Sequence, residues 1–154
     1  MKKFLLFLAV AMVVQNATAQ QLPHDPSIRK GQLPNGMTYY IRHNAQTPNV
    51  ADFYIAQRVG SILEEPRQRG LAHFLEHMAF NGTSNFRGDS KSPGIVPWCE
   101  SAGVKFGANL NAYTSVDQTV YNIASVPVKR ASVLDSALLI LHDWSHFLLL
   151  NDDE

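Results

Sequence analysis

The sequence predicts a protein of the α+β class. Strands precede and follow a first helix in the chain, and a long helix near the C-terminus packs on the sheet. Three observations support this prediction. The pair Asn35-Gly36, followed by a β-rich run, indicates a hairpin. Residues 50–59 alternate well enough to form a half-buried strand. Residues 128–149 place apolar side chains at three- and four-residue steps, which is typical of an amphipathic helix.

Shorter elements are predicted between these segments. A charged connection over residues 64–69 precedes the first helix, and a short helix is expected around residues 96–102, stopped by Gly103. Two further strands are expected over residues 105–114 and 118–124, joined by a tight turn.

The N-terminus has the composition of a secretory signal peptide. Lys2 and Lys3 precede an apolar run over residues 4–14, and Ala17 and Ala19 are the small residues of a signal-peptidase site. We expect cleavage near Ala19 and an exported, in bacteria periplasmic, protein. The run is shorter than the ~20 residues that span a bilayer, and no later stretch is a candidate, so no stable membrane insertion is expected.

The rest of the chain is expected to form a flexible lead-in over residues 20–27 and one folded domain over residues 28–154. The formal net charge is zero, with no excess of basic residues, and a nucleic-acid partner is therefore not expected. The single cysteine, Cys99, cannot form an internal disulfide and is expected to be a buried, small apolar residue.

The stretch His73-Phe74-Leu75-Glu76-His77 has the spacing of a metal site if it is helical. At about 100° per residue, His73, Glu76 and His77 share one sector of the helix. Two histidines one turn apart can bind a single Zn²⁺, and the glutamate between them can accept a proton from the attacking water. The order His-x-x-Glu-His is the inverzincin signature.

The same helix is expected to bury its opposite, apolar sector and to end at Gly82, acting as a C-terminal glycine. That apolar sector contains Leu71, Phe74, Leu75 and Met78.

The other histidines and carboxylates are expected to be structural. His142 and His146 also lie one turn apart, but no positioned glutamate accompanies them, and they are expected to be surface or partly packed residues. Asp135 and Asp143 are expected to be solvated helix positions.

Three stretches in this order, residues 70–83, 100–115 and 117–121, resemble the pitrilysin/insulinase zinc metallopeptidases, most closely their bacterial periplasmic branch. The resemblance implies an antiparallel sheet with helices packed on one face, as in the N-terminal half of these enzymes. Residues 28–154 would then be an incomplete N-terminal peptidase domain.

The resemblance also implies roles for individual residues. His73 and His77 match zinc ligands, and Glu76 matches the catalytic general base. Asn111 and Ala112 match the strand edge that pairs with an extended peptide or small-protein substrate.

The family's third zinc ligand is a glutamate on a later helix. Glu154 has a permitted separation from His77, but its sequence context resembles the start of that helix. We therefore expect the third ligand beyond the end of this chain, with Glu154 as the alternative. The C-terminal half that completes the site in family members would come from a missing segment or a partner chain.

The sequence thus predicts the N-terminal portion of an exported, single-zinc endopeptidase that hydrolyses peptide bonds with a metal-activated water. The alternative is a non-catalytic scaffold or substrate-holding homologue, or an inactive fragment. Retention of His73, Glu76 and His77 argues against an inactive homologue, which has no chemical need of all three.

Overall fold

The computed structural model describes Pro23 and residues 25–151, and it divides the chain into two compact units, residues 1–46 and 47–154. The predicted signal peptide and Glu154 lie outside the described residues. Within the described part, no helix is both long enough and apolar enough to cross a membrane.

The described part of the first unit is the predicted hairpin. Its antiparallel strands are β1, Ile28–Gln32, and β2, Thr38–Arg42. The N–H of Leu33 donates to the carbonyl of Met37 at 2.8 Å, which leaves a three-residue loop that ends at Gly36 with a φ of 87°. A two-residue loop at Asn35-Gly36 would require a closing N–H from Pro34, and proline has none.

Besides two short 3-10 helices, Ser61–Leu63 and Pro66–Gln68, the described part of the second unit contains a three-stranded sheet and three α-helices. In chain order these elements are β3 (Val50–Gln57), α1 (Leu71–Met78), α2 (Ile95–Ser101), β4 (Leu110–Thr114), β5 (Thr119–Pro127) and α3 (Ala131–His146). The strand order is β3-β5-β4. Both pairings are antiparallel, and the antiparallel sheet agrees with the prediction.

Helices cover one face of this sheet. Phe53 and Leu110 pair with Ile123 from the two sides of β5, and all three are buried with the helices in one core. Tyr54 and Tyr113, on the opposite face, are 62% and 51% exposed. The α+β prediction, with helices on one side of an antiparallel sheet, is therefore confirmed. The buried core contains Phe53, Ala79, Phe86, Ile95, Cys99, Val104, Leu110, Tyr121, Ile123, Val126, Val133, Ala137, Ile140 and Trp144.

Two elements are shorter than predicted because their expected ends bond elsewhere. The carbonyl of Lys105 accepts the N–H of Asn109 at 2.8 Å, so residues 105–109 form a turn before β4. The N–H of Val128 extends the pairing of β5 with β3 by donating to the carbonyl of Asn49, and after α3 the N–H of Leu149 donates to the carbonyl of Gly82 instead of continuing the helix. Backbone groups already used by a turn or another strand cannot continue the regular element.

Cys99 lies on α2 and is fully buried, as predicted. Burial raises the pKa of its thiol to about 12, and the nearby charge of Glu100 adds to the increase. Because the thiolate is the reactive form, we expect Cys99 to resist alkylation by iodoacetamide at pH 8 in the native protein. The measurement is peptide mass spectrometry, with the guanidinium-unfolded protein as the control that should be fully alkylated. Equal labelling rates in the two samples would contradict this prediction.

Candidate metal centre

The N-terminus of helix α1 is capped by Glu64, a residue of the preceding connection. Gly70 occupies its N-cap with a φ of 89° and has no side chain to cap the helix. Instead, the Glu64 carboxylate accepts the backbone N–H groups of Ala72 and Gly70, each at 2.8 Å. These hydrogen bonds, that from Ala72 first, lower the pKa of Glu64. A carboxylate at a helix N-terminus satisfies free N–H groups and complements the helix dipole, so it fixes where α1 begins.

The two histidines of the motif converge one turn apart on α1. Their Nε2 atoms are 3.1 Å apart and their ring centroids 4.8 Å apart. Nitrogens that each lie about 2.0–2.1 Å from a tetrahedral zinc are about 3.3 Å from each other. The spacing of the His73 and His77 nitrogens therefore fits two ligands of one zinc ion. The side chain of His73 is 65% exposed, which leaves it accessible.

Glu76 lies between the histidines in sequence but is buried, with 7% of its surface exposed. Its Oε2 atom accepts the hydroxyl of Thr114, on β4, at 2.7 Å and lies 4.0 Å from Nε2 of His73. Thr114 is in turn 3.3 Å from the hydroxyl of Thr119, which donates to the carbonyl of Val59 at 2.9 Å. The carboxylate thus has a fixed partner on the sheet and remains near the histidines.

The prediction of which face of α1 is buried is wrong in part. Leu71 and Phe74 are 52% and 56% exposed, whereas Ala72, Glu76 and Met78 are buried. The helix packs on β4 and β5 through the sector that contains the small Ala72 and the anchored Glu76. Sequence spacing identifies the sectors of a helix, but the neighbouring strands decide which sector is covered.

The C-terminal end of α1 is held by α3. The helix ends at Met78, so the prediction that Gly82 closes it is wrong. The indole N–H of Trp144 donates to the carbonyl of Ala79, two residues after His77, at 3.0 Å. Gly82 instead accepts the N–H of Leu149 through its own carbonyl at 3.0 Å. Ala79, the residue directly after α1, therefore accepts a hydrogen bond from a tryptophan 65 residues further along the chain.

Asp143 is fully buried beside this tryptophan, and the prediction that it is solvated is wrong. Its carboxylate accepts the Thr83 hydroxyl at 2.6 Å and both the backbone and side-chain amides of Asn85 at 2.9 and 2.8 Å. Nδ1 of His142 lies 3.1 Å from Oδ1. Burial is the largest influence and raises the pKa of Asp143, but these hydrogen bonds together lower it below its ordinary range.

Sequence reasoning missed Glu64, Thr114 and the buried role of Asp143. Asp143 had an available signal, because it lies three residues after Ile140, on the side of α3 that supplies the core. Thr114 also had one, since it follows Ala112 at the two-residue period of a strand and so shares its face. Glu64 had none, because helix-start rules examine only the residues adjacent to the helix.

The described residues supply two histidines and no third ligand. No group of three or more His, Cys, Asp or Glu side chains in that part of the chain is arranged to hold a metal ion. The candidate third ligand Glu154 lies outside the described residues. His142 and His146 are exposed and contact the ring of Phe147.

Asn111 and Ala112 lie on an edge strand, because β4 pairs only with β5 in the described sheet. Asn109 accepts the N–H of Ala124, its opposite residue, at 2.7 Å. Hydrogen-bonding direction alternates along an antiparallel strand, so Ala112 directs its backbone groups to the open edge. There the side-chain oxygen of Asn111 accepts the Ala112 N–H at 2.9 Å. The open edge thus belongs to the strand that carries Thr114.

The model of the insulinase family, Peptidase family M16, matches residues 40–154. The chain belongs to this peptidase family. Among relatives, it is 36% identical over 144 residues to a probable zinc protease, PqqL, of Escherichia coli K12, covering 93% of this chain and 15% of that protein. It is 38% identical over 124 residues to a PQQL-like zinc protease of Arabidopsis thaliana, covering 80% of this chain and 12% of that protein.

A solved structure of an M16 relative agrees with this assignment. The crystal structure of the first half of the periplasmic protease PqqL from Escherichia coli superimposes with a TM-score of 0.77 at 36% identity. The match covers 86% of this chain and 27% of that one. The chain therefore corresponds to only a small part of these relatives, and the two curated ones named above are described as zinc proteases.

Proposed function

We propose that this chain is the N-terminal part of an exported zinc endopeptidase of the M16 family, with His73 and His77 as zinc ligands and Glu76 as general base. The observation that carries the proposal is the convergence of the two Nε2 atoms to 3.1 Å beside a buried, hydrogen-bonded Glu76. Export, with cleavage near Ala19, is supported by the sequence and by the periplasmic PqqL structure.

The histidines and the glutamate have different roles in the proposed peptide hydrolysis. A zinc ion held by His73 and His77 would supply Lewis-acid polarisation of the scissile carbonyl and of the attacking water. Glu76 accepts the proton of that water and returns it to the leaving amine, so one carboxylate acts first as base and then as acid. Its burial keeps the carboxylate away from bulk solvent, and Thr114 holds one of its oxygens.

The substrate is proposed to be a peptide or small protein bound in extended form. Ala112 directs an N–H and a carbonyl to the open edge of β4, the groups with which an added strand would pair. Asn111 already bonds that N–H through its side chain, so it would exchange this contact for one to the substrate. The third ligand and the other wall of the site are proposed to come from the remainder of the protein, because matched relatives are several times longer.

Zinc removal from the full-length protein tests this function. Dialysis against a chelator is expected to reduce hydrolysis of a fluorogenic peptide to background, because polarisation of carbonyl and water is lost. About one equivalent of zinc should restore it, whereas magnesium, which prefers six oxygen ligands, should not. Metal analysis and fluorogenic peptide cleavage provide the measurements. A metal-free protein with undiminished hydrolysis would contradict the proposal, and a protein with neither zinc nor hydrolysis would indicate a scaffold.

A further inference from the structure

The carboxylate of Glu76 is tied to the sheet by one hydroxyl group. Thr114 lies 38 residues further along the chain, on β4, and its Oγ1 atom is 2.7 Å from Oε2 of Glu76. The glutamate is 7% exposed, so few water molecules can reach it to replace this partner. The bond therefore connects a residue of the helix motif with a strand residue that the motif does not contain.

The hydrogen atoms in this cluster can be assigned by counting donors. An ionised carboxylate and a backbone carbonyl only accept, and each threonine hydroxyl has one hydrogen to donate. Thr119 is 3% exposed and donates to the carbonyl of Val59 at 2.9 Å. Thr114 must then donate to Glu76, and the 3.3 Å contact between the two hydroxyls carries no full hydrogen bond. The Thr114 hydroxyl has one strong acceptor, the Glu76 carboxylate.

A glutamate carboxylate needs such an anchor if it is to act from one position. Its last side-chain torsion is broad, so the carboxylate plane turns easily unless an oxygen is held. Oε2, the oxygen that Thr114 holds, also lies 4.0 Å from Nε2 of His73. Holding this oxygen sets the position of the carboxylate relative to the histidine pair.

We propose that Thr114 is a positioning residue for the general base: its hydroxyl holds the Glu76 carboxylate in the orientation in which it accepts a proton from water. This inference rests on the proposed function, and it adds a residue outside the His-x-x-Glu-His motif to the site. Thr119 donates its own hydrogen to the Val59 carbonyl, so it does not donate to the Thr114 hydroxyl. A donor placed in advance toward a buried charge avoids reorganisation during the reaction.

Two substitutions distinguish the effect of the Thr114 hydroxyl from the effect of the shape of its side chain. Thr114→Val in the full-length protein keeps the volume and β-branching but removes the donor, whereas Thr114→Ser keeps the donor. We expect Thr114→Val to lower kcat about 10- to 100-fold, the effect of losing a hydrogen bond to a charged group, with KM within about twofold. Thr114→Ser should stay within about threefold of the wild-type kcat. Thr38→Val, the same change on an exposed position of β2, is the matched control and should leave kcat unchanged.

A readout independent of turnover accompanies the kinetics. Crystal structures of the metal-free variants should show the Glu76 carboxylate in one orientation in Thr114→Ser and in more than one in Thr114→Val. Bound zinc should be equal in all variants, since neither histidine is altered. A wild-type protein without zinc-dependent hydrolysis would overturn the proposed function. A fully active Thr114→Val, or one with Glu76 unmoved, would overturn the positioning role alone.

Discussion

Replacing Glu76 by glutamine in the full-length protein is expected to lower kcat by about 10²- to 10⁴-fold, the usual contribution of a general base. Glutamine has nearly the same shape, and its side-chain oxygen can still accept the Thr114 hydroxyl at the position that Oε2 occupies. It cannot accept a proton from water at neutral pH. The loss therefore isolates proton transfer from packing. Steady-state cleavage of a fluorogenic peptide measures kcat, and metal analysis measures bound zinc.

Zinc content decides how a loss of activity in Glu76→Gln is interpreted. His73 and His77 are unchanged in this variant, so one zinc per protein is expected to remain. Glu100→Gln is the matched control, because Glu100 is an exposed carboxylate at the end of α2, and wild-type activity is expected. A Glu76→Gln protein that retains both zinc and wild-type kcat would exclude Glu76 as the base.

Replacing Asp143 by alanine is expected to loosen the segment that follows α1. The substitution leaves the buried Thr83 hydroxyl, and two amides of the exposed Asn85, without their acceptor. Each stranded donor costs free energy, so local opening should become easier by about 2–3 kcal/mol, or roughly 30- to 150-fold in hydrogen exchange. Hydrogen exchange at the Asn85 amide of the full-length protein measures this change. Asp135→Ala, an exposed aspartate on the same helix, should leave that exchange rate unaltered.

The effect of Asp143→Ala should depend on pH in a defined direction. Hydrogen bonds lower the pKa of Asp143 in the folded protein, so the folded state binds its proton less readily than the unfolded chain. The stabilisation is therefore complete above the unfolded pKa of about 3.9 and is lost as pH falls through the folded pKa. The difference between wild type and variant should shrink below about pH 4. A difference unchanged at the lowest pH at which the protein stays folded would contradict this account.

Much of the candidate site could be predicted from local sequence. Histidines four residues apart must share a side of any α-helix, so the approach of His73 to His77 follows once the helix forms. The hairpin at Asn35-Gly36 likewise depends on a few adjacent residues, although Pro34 changed the length of its loop. The three companion stretches together were specific enough to identify the family, which the match to residues 40–154 confirms.

Residues adjacent in sequence could not indicate which helix and strand surfaces contact each other in the fold. The burial of Glu76 depends on Thr114, and that of Asp143 on Thr83 and Asn85, partners 38 to 60 residues away along the chain. The end of α1 depends in the same way on Trp144, whose indole N–H takes the Ala79 carbonyl.

The helix motif, the strands and the family were therefore determined by local periodicity and short motifs, because backbone geometry repeats over a few residues. The exposure of Leu71 and Phe74, the helix cap from Glu64 and the anchor on Glu76 were decided only when the helices and the sheet packed together. A buried polar group must have a hydrogen-bond partner, and the tertiary fold decides which residue supplies it. The residues adjacent in sequence do not identify that partner.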